Sequence, residues 1–316
     1  MSTPKDVYTF DDLRSWAQIT GGIQPAPRLS VFGDPVAHSL SPQMHNPGLL
    51  EAGIDAQYVR LHILPSQLKE ALQELKTQNF IGTNLTIPHK AAAIEAMDTI
   101  DETALHIGVV NTVLVDDGQL IGFNSDGPGF ARAIREEFSV DLHDLRIMIL
   151  GAGGGAGRAV AVQAAMDRCE RLVLVNRTAE KTKALAAELA PFFRDDRLVG
   201  PVERLEAIPW DERTLAPQMD HIDLIVNATS LGMKRSDPEL LPASLIQPHH
   251  FVYDMVYSPA RTHLVSQAKN AGARAANGLS MLLHQGAISF EHWFNREAPL
   301  EAMRKGLLAA LSRAQA

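Results

Sequence analysis

Residues 145–158 constrain the fold more than any other stretch of this 316-residue chain. An apolar run at 147–150 ends abruptly at Gly151. Four more residues of the next six are glycine, and an alanine-rich segment with high helix propensity follows at 159–166. The pattern predicts a buried strand, a tight turn and the start of a helix. Gly151 and Gly153 lack a Cβ, so the backbone there can turn sharply and approach a pyrophosphate. The helix that follows directs free N–H groups and the positive end of its dipole at the anion. A glycine turn alone could be a flexible connection. Here a strand precedes it, a helix follows, and a second apolar strand lies at 171–175, which is the context a dinucleotide site needs. That second strand ends in Asn176-Arg177-Thr178. NAD sites usually place an acid there for the ribose hydroxyls, whereas a neutral amide and a guanidinium suit a 2′-phosphate. The expected cofactor is NADP(H).

The chain is long enough for two domains with cores of their own. Its net charge of −8, with no long basic run, gives no nucleic-acid footprint. The single cysteine, Cys169, cannot form an internal disulfide and is read as a packing residue. No cluster has metal-ligand spacing, no apolar stretch reaches membrane-span length, and the first 28 residues carry no apolar signal region. These absences point to a cytoplasmic protein, a monomer or homodimer, acting on a small molecule.

Taken in order, residues 1–28 read as a peripheral arm with one short helix at 10–19, packed on the body or on a second subunit. A strand at 29–32 runs into Ser39, Ser41 and Pro42. Ser41 before Pro42 reads as a helix N-cap, and the hydroxyls of Ser39 and Ser41 beside a helix start suit a carboxylate. His38 and His45 have no ligand-like partners in the sequence and read as structural. Residues 56–61 alternate as a strand, and 66–77 form an amphipathic helix. A strand at 81–87 places Asn84 and Thr86 on one face, and Pro88 is expected to open a helix with Lys90 one turn in. A strand at 108–115 carries Asn111, which needs partners if buried. Residues 116–118 form a hairpin turn to a strand at 120–123. Asp126 follows as a candidate N-cap for a helix at 129–138. From 145 onward a doubly wound α/β unit is expected, with strands at 146–151, 171–176, 223–228 and 251–255. The carboxyl ends of its strands, near Thr229 and Met255, are where such sheets bind ligands. Helices at 260–272, 278–293 and 299–314 complete the chain.

These pieces, in this order, resemble the shikimate dehydrogenase family across residues 29–293. The matching motifs are Ser39-Leu40-Ser41-Pro42 with His45-Asn46, Asn84-Leu85-Thr86-Ile87-Pro88-His89-Lys90, Gly108-Val109-Val110-Asn111-Thr112 and Gly122-Phe123-Asn124-Ser125-Asp126-Gly127. They continue with the glycine turn, Asn176-Arg177-Thr178, Asn227-Ala228-Thr229-Ser230-Leu231-Gly232-Met233, Tyr253-Asp254-Met255-Val256-Tyr257, and Gly278-Leu279-Ser280-Met281-Leu282 with Gln285. Ser125 stands where the family usually has threonine, the glycine turn is one residue longer than the usual pattern, and the arm is additional to the family core.

The resemblance implies a two-domain α/β fold. Residues 29–126 and 277–316 would form a substrate domain, and an inserted Rossmann-like domain, 127–276, would bind NADP. It implies reduction of 3-dehydroshikimate to shikimate in aromatic amino acid biosynthesis, with Lys90 and Asp126 as the catalytic pair. Ser39 and Ser41 would bind the substrate carboxylate. Asn84, Thr86, Asn111 and Asp126 would hold the ring hydroxyls, with Tyr257 and Gln285 completing the pocket. The cofactor residues would be Gly151, Ala152, Gly153, Gly154, Gly155, Asn176, Arg177, Thr178, Lys181, Thr229, Met255 and Gly278. Ketone reduction needs a proton on oxygen, which the Lys90 ammonium can supply, while the nicotinamide carries the hydride. The rivals are a quinate/shikimate dehydrogenase of broader substrate or NAD use, and a non-catalytic sensor that kept the fold. Arg177 argues against NAD, and the presence of both Lys90 and Asp126 argues against the sensor.

Overall fold

The computed structural model describes residues 4–194 and 202–315. The chain divides into two compact units, Met1–Ser125 with Leu283–Ala316, and Asp126–Leu282. The first three residues of the arm lie outside the described residues.

The first unit is built on a seven-stranded mixed sheet. Its strands are β1 (Tyr8–Thr9), β2 (Pro27–Gly33), β3 (Gln57–His62), β4 (Gly82–Leu85), β5 (Thr99–Ile100), β6 (Thr112–Asp116) and β7 (Gln119–Phe123). Their spatial order is β1-β3-β2-β4-β6-β7-β5. The first four run parallel, and β6 is antiparallel to both β4 and β7. Asp117 and Gly118 join β6 to β7 with φ of 45° and 71°, the left-handed pair that a tight hairpin uses.

The arm is not peripheral. Its first described strand, β1, adds to the sheet edge beside β3. Thr9 and Asp12 cap a short helix, Phe10–Arg14, reciprocally, and Trp16–Thr20 follows after a break at Ser15, so two short helices replace the single one expected. Tyr8, Phe10, Leu13 and Trp16 are buried in one cluster with Phe32, Leu61, Leu72, Leu75 and Phe80. Each such side chain contributes roughly 1.5–3 kcal/mol by leaving water. Elsewhere in this unit the helices Ser41–Glu51 and Leu300–Gln315 pack closely. A Cβ on Gly306 would lie 2.3 Å from the Gln43 carbonyl, so glycine permits the approach.

The second unit holds six parallel strands, β8 (Arg146–Leu150), β9 (Arg171–Asn176), β10 (Leu205–Pro209), β11 (Leu224–Asn227), β12 (Phe251–Asp254) and β13 (Arg274–Asn277). The spatial order is β10-β9-β8-β11-β12-β13. Numbered within the unit this is 3-2-1-4-5-6, the doubly wound dinucleotide-binding order. Four strands fall where the sequence places them. β10 and β13 were not expected: each is short, and β13 has only alanines between Arg274 and Asn277 to signal a strand. No helix among the described residues is long and apolar enough to cross a membrane.

Candidate active site

In the first unit, the carboxyl end of β4 and the chain entering β6 bring together a buried polar array. Asn84, on β4, accepts a hydrogen bond at Oδ1 from the Tyr58 hydroxyl of β3, at 2.8 Å. Its Nδ2 faces the Asn111 carbonyl at 3.1 Å, Thr112 Oγ1 at 3.1 Å and Ser289 Oγ at 2.9 Å. Asn111 in turn receives the Ser125 backbone N–H at Oδ1 and donates from Nδ2 to the Ser125 hydroxyl, at 2.8 and 3.0 Å. Ser289 also donates to the Gln285 carbonyl one helical turn back, at 2.9 Å, which ties the half-buried Gln285 to the same array. Asn84, Asn111, Thr112, Ser125 and Ser289 are all buried. Their mutual hydrogen bonds satisfy groups that would otherwise be costly to bury.

Ser39 and Ser41 lie beside the N-terminus of the helix Ser41–Glu51, their hydroxyls 3.1 Å apart. Ser41 is not the N-cap. The helix begins at Ser41 itself, Leu40 precedes it, and Pro42 sits in the first turn where its missing N–H costs nothing. The Ser39 loop is held from behind by Arg60 of β3. The Arg60 guanidinium donates to the Ser39 carbonyl from Nε at 2.9 Å and from Nη2 at 2.7 Å. It also reaches Gln43 Oε1 at 2.9 Å and Asp6 of the arm at 2.8 Å.

Lys90 is in a turn, not in a helix. The strand expected at 81–87 stops at Leu85, so Thr86 lies just beyond it, and the next helical turn begins only at Ala92. The segment is drawn back onto the sheet instead. Thr86 N–H bonds to the Phe32 carbonyl at 2.9 Å, Asp34 N–H to the Ile87 carbonyl at 3.1 Å, and Val110 N–H to the Lys90 carbonyl at 3.0 Å. His89 is buried with Nε2 2.8 Å from the Ile63 carbonyl, and burial lowers its pKa. Lys90 is half-buried and its backbone is pinned.

In the second unit Asp126 is the buried first residue of the helix Asp126–Phe138. The expected helix begins three residues later with Asp126 as its cap. Pro128 is tolerated this early because first-turn N–H groups lack intrahelical partners anyway.

The glycine turn sits where β8 gives way to the helix Gly155–Met166, whose N-cap is Gly154. Gly151 has φ of 90°, and a Cβ there would meet the Thr229 methyl of the β11 end at 2.5 Å. A Cβ on Gly153 would lie 2.8 Å from Asn176 Nδ2 and 3.0 Å from Lys181 Cβ, so the turn, the β9 end and the next helix converge. No side chain caps the helix at Gly154, and Gly154 and Gly155 are exposed, leaving first-turn N–H groups for an anion. Asn176 donates to the Thr178 carbonyl at 3.1 Å, and Arg177, Thr178 and Lys181 are exposed beside it. These residues fit a phosphate-bearing dinucleotide.

At the β11 and β12 ends, Asn227 accepts from the Thr229 N–H and hydroxyl and donates to Asp254 at 2.8 Å. Burial raises the Asp254 pKa, opposed by donors from Thr262, Val256 and Asn227. The pair braces the loop bearing Thr229 and the chain bearing Met255. Gly278 passes the Met255 carbonyl so closely that a Cβ would lie 2.0 Å from its oxygen. Tyr257 is half-buried, and burial raises its pKa. No group of three or more potential metal ligands occurs among the described residues.

Sequence reasoning missed Tyr58, Arg60 and Ser289, as well as the bracing role of Asp254. The alternation of Tyr58 and Arg60 with Val59 and Leu61 was a usable signal. It places two polar-tipped side chains on one face of a strand.

Fold and site thus define an α/β protein with a doubly wound unit of the dinucleotide-binding order and, in the other unit, a buried polar array. Comparison with known proteins is specific. The family pattern of the shikimate dehydrogenase substrate binding domain matches residues 31–113, and that of the shikimate 5′-dehydrogenase C-terminal domain matches 278–308. A shikimate dehydrogenase (NADP(+)) of Symbiobacterium thermophilum is 40% identical over 91% of this chain and 95% of its own. One from Methanopyrus kandleri is 39% identical over 90% and 95%. The crystal structure of the Thermus thermophilus shikimate 5-dehydrogenase with NADP(H) and shikimate superposes with a TM-score of 0.79 at 35% identity, covering 90% of this chain and all of the other. The chain belongs to the shikimate dehydrogenase family.

Proposed function

We propose that this chain interconverts 3-dehydroshikimate and shikimate with NADP(H), with Lys90 as the proton donor to the carbonyl oxygen and Asp126 as its partner. Ser39 and Ser41 bind the substrate carboxylate beside a helix N-terminus, which favours an anion there. Asn84, Thr86, Asn111 and Asp126 hold the ring hydroxyls, while Tyr257 and Gln285 complete the pocket. Buried donors and acceptors at those positions discriminate against rings that lack a hydroxyl, because the unpaired protein group is then stranded. Gly151, Ala152, Gly153, Gly154 and Gly155 receive the pyrophosphate. Asn176, Arg177, Thr178 and Lys181 receive the 2′-phosphate end, and Thr229, Met255 and Gly278 border the remainder of the nucleotide. Bound NADP(H) supplies or accepts the hydride. Lys90 gives its proton to the alkoxide oxygen as the hydride arrives at carbon, and takes it back in the reverse direction. Asp126 orients the amine and stabilises its charged form.

In this reading residues 29–126 with 277–316 form the substrate domain, and 127–276 the nucleotide domain. The protein works as a cytoplasmic monomer or homodimer, with no nucleic-acid partner. The observation that supports the reading best is the buried array joining Asn84, Asn111, Ser125 and Ser289. A polyhydroxylated ring needs such a set of fixed donors and acceptors, and an apolar core does not.

The test is steady-state oxidation of shikimate and of quinate, each with NADP+ and NAD+, followed by reduced-nicotinamide absorbance. Activity confined to shikimate with NADP+ is expected. Comparable rates on quinate or with NAD+ would move the protein to a broader dehydrogenase. Lys90→Ala is expected to lower turnover by roughly a hundredfold or more while substrate affinity changes little, as for a general acid/base. Unchanged turnover in that variant removes the role.

A further inference from the structure

We infer that Tyr58 is a positioning residue of the substrate site, fixing Asn84 as a hydrogen-bond acceptor, and that the His45-Asn46 pair serves to hold Tyr58. The inference rests on the reading of Asn84 as a substrate ligand.

The direction of the hydrogen bonds follows from chemistry. The Asn111 carbonyl can only accept, so the Asn84 amide must turn its Nδ2 toward it. Asn84 Oδ1 then faces Tyr58 and takes that residue's single hydroxyl proton, at 2.8 Å. Burial drives the Tyr58 pKa well up, so the phenol keeps its proton and donates it to Asn84. An Asn84 amide locked this way offers its remaining Oδ1 lone pair, so it accepts from a ring hydroxyl and does not donate to it.

Tyr58 is itself immobilised from three sides. The Asn46 side chain bonds both its backbone groups, accepting from its N–H at 2.7 Å and donating to its carbonyl at 3.0 Å. The His45 ring stacks on the phenol at 4.4 Å with an interplanar angle of 11°. The Trp293 ring lies 6.1 Å from the phenol ring, anchored by its own N–H to the Val113 carbonyl at 3.0 Å. His45 is fully buried, and neither of its ring nitrogens has a hydrogen-bond partner. Its contribution is therefore the flat face of the ring. This gives the His45-Asn46 part of the motif a function that neither residue has by touching substrate.

Tyr58→Phe removes one oxygen and keeps the ring. In the full-length protein it should raise the KM for shikimate roughly ten- to hundredfold, the loss expected when a buried acceptor is left unpaired and free to reorient. The turnover number should change less than about threefold and the KM for NADP+ less than about twofold. His45→Ala should shift the shikimate KM in the same way, and His45→Phe, which restores a stacking face, should recover most of that loss. Thermal midpoints are recorded for each variant. A Tyr58→Phe protein with a lowered midpoint but the wild-type shikimate KM overturns the positioning role, as does an equal rise in the KM for NADP+. Equal losses in His45→Ala and His45→Phe overturn the stacking role. Wild-type protein that fails to oxidise shikimate overturns the proposed function and this inference with it. Wild-type turnover beside an unchanged Tyr58→Phe KM overturns the inference alone.

Discussion

At the scale of single residues, His45 couples the site to pH. Burial alone lowers its pKa from 6.5 to about 3. Below pH 6.5 the unfolded chain therefore takes up a proton that the native state refuses, so the depressed value makes stability fall as the pH drops from about 6.5 toward 3. The slope is about 1.4 kcal/mol per pH unit, or about 2–3 kcal/mol lost by pH 4.5. Burial also lowers the pKa of His89 and His250, which adds in the same direction. His45→Phe keeps the stack on Tyr58 and removes the titration. Urea unfolding at neutral pH and at pH 4.5 should show a shallower acid loss in that variant than in the wild type. Parallel losses in the two proteins would assign the acid sensitivity to other groups. The proposed site residues to which the sequence pointed, Ser39, Ser41, Asn84 and Asn111, are polar side chains in apolar or helix-start contexts, where a polar group demands a reason. Tyr58 and Arg60 carried only the weaker signal of their alternation with Val59 and Leu61, and Ser289 carried none. Each fits the ordinary alternation or periodicity of its element, and only tertiary packing turns its polar tip toward the others.

At the scale of elements, the glycine turn was legible because its constraint is local. A strand, a turn that excludes Cβ atoms and a helix follow one another within 14 residues of the chain. What was not legible is the packing of Gly153 against Asn176 and Lys181, which joins the turn to the next strand end and helix. Gly153→Ala forces those neighbours to move. It should raise the KM for NADP+ about tenfold while the shikimate KM changes less than about twofold, since sites without shared partners act independently. A rise in both constants would mean that the turn supports more than the nucleotide. The arm was misread for the opposite reason. Its partners are far away in sequence, and no local pattern shows that Trp16 meets Phe80 at 5.1 Å and donates its N–H to the Pro27 carbonyl at 3.1 Å. Trp16→Ala should cost about 3–5 kcal/mol, as for other buried aromatic truncations. Denaturant unfolding checks this, and a change under about 1 kcal/mol would return the arm to a peripheral role. Lys90 belongs with the arm. Pro88 resembles a helix start, but hydrogen bonds from Asp34 and Val110, both distant in sequence, hold the segment as a turn.

For the whole molecule, chain order sorts the proposed chemistry. Ser39, Ser41, Asn84, Thr86, Lys90, Asn111 and Gln285 fall in the first unit, and every proposed nucleotide residue falls in the second. Asp126 and Tyr257 are the exceptions, since these two residues belong to the second unit while serving the substrate in the proposed reaction. This division makes a prediction about how losses combine. Ser41 interacts with Ser39, in its own unit, and Arg177 is exposed at the end of β9. Arg177→Ala should raise the KM for NADP+ at least about tenfold, through loss of a charge-assisted bond to the 2′-phosphate, and leave that for NAD+ nearly unchanged. Ser41→Ala should raise the KM for shikimate. With no partner in common, the two penalties on kcat/KM should multiply in the double variant to within about twofold, the tolerance that holds for independent sites. Tyr58→Phe combined with Asn84→Ala should behave differently. If Tyr58 acts through the Asn84 amide that it bonds, the second substitution removes what the first has already broken, and the combined loss falls well short of the product. Multiplication in both pairs would dissolve that link into separate contacts, and strong coupling between Ser41 and Arg177 would mean that the substrate and nucleotide residues do not act independently.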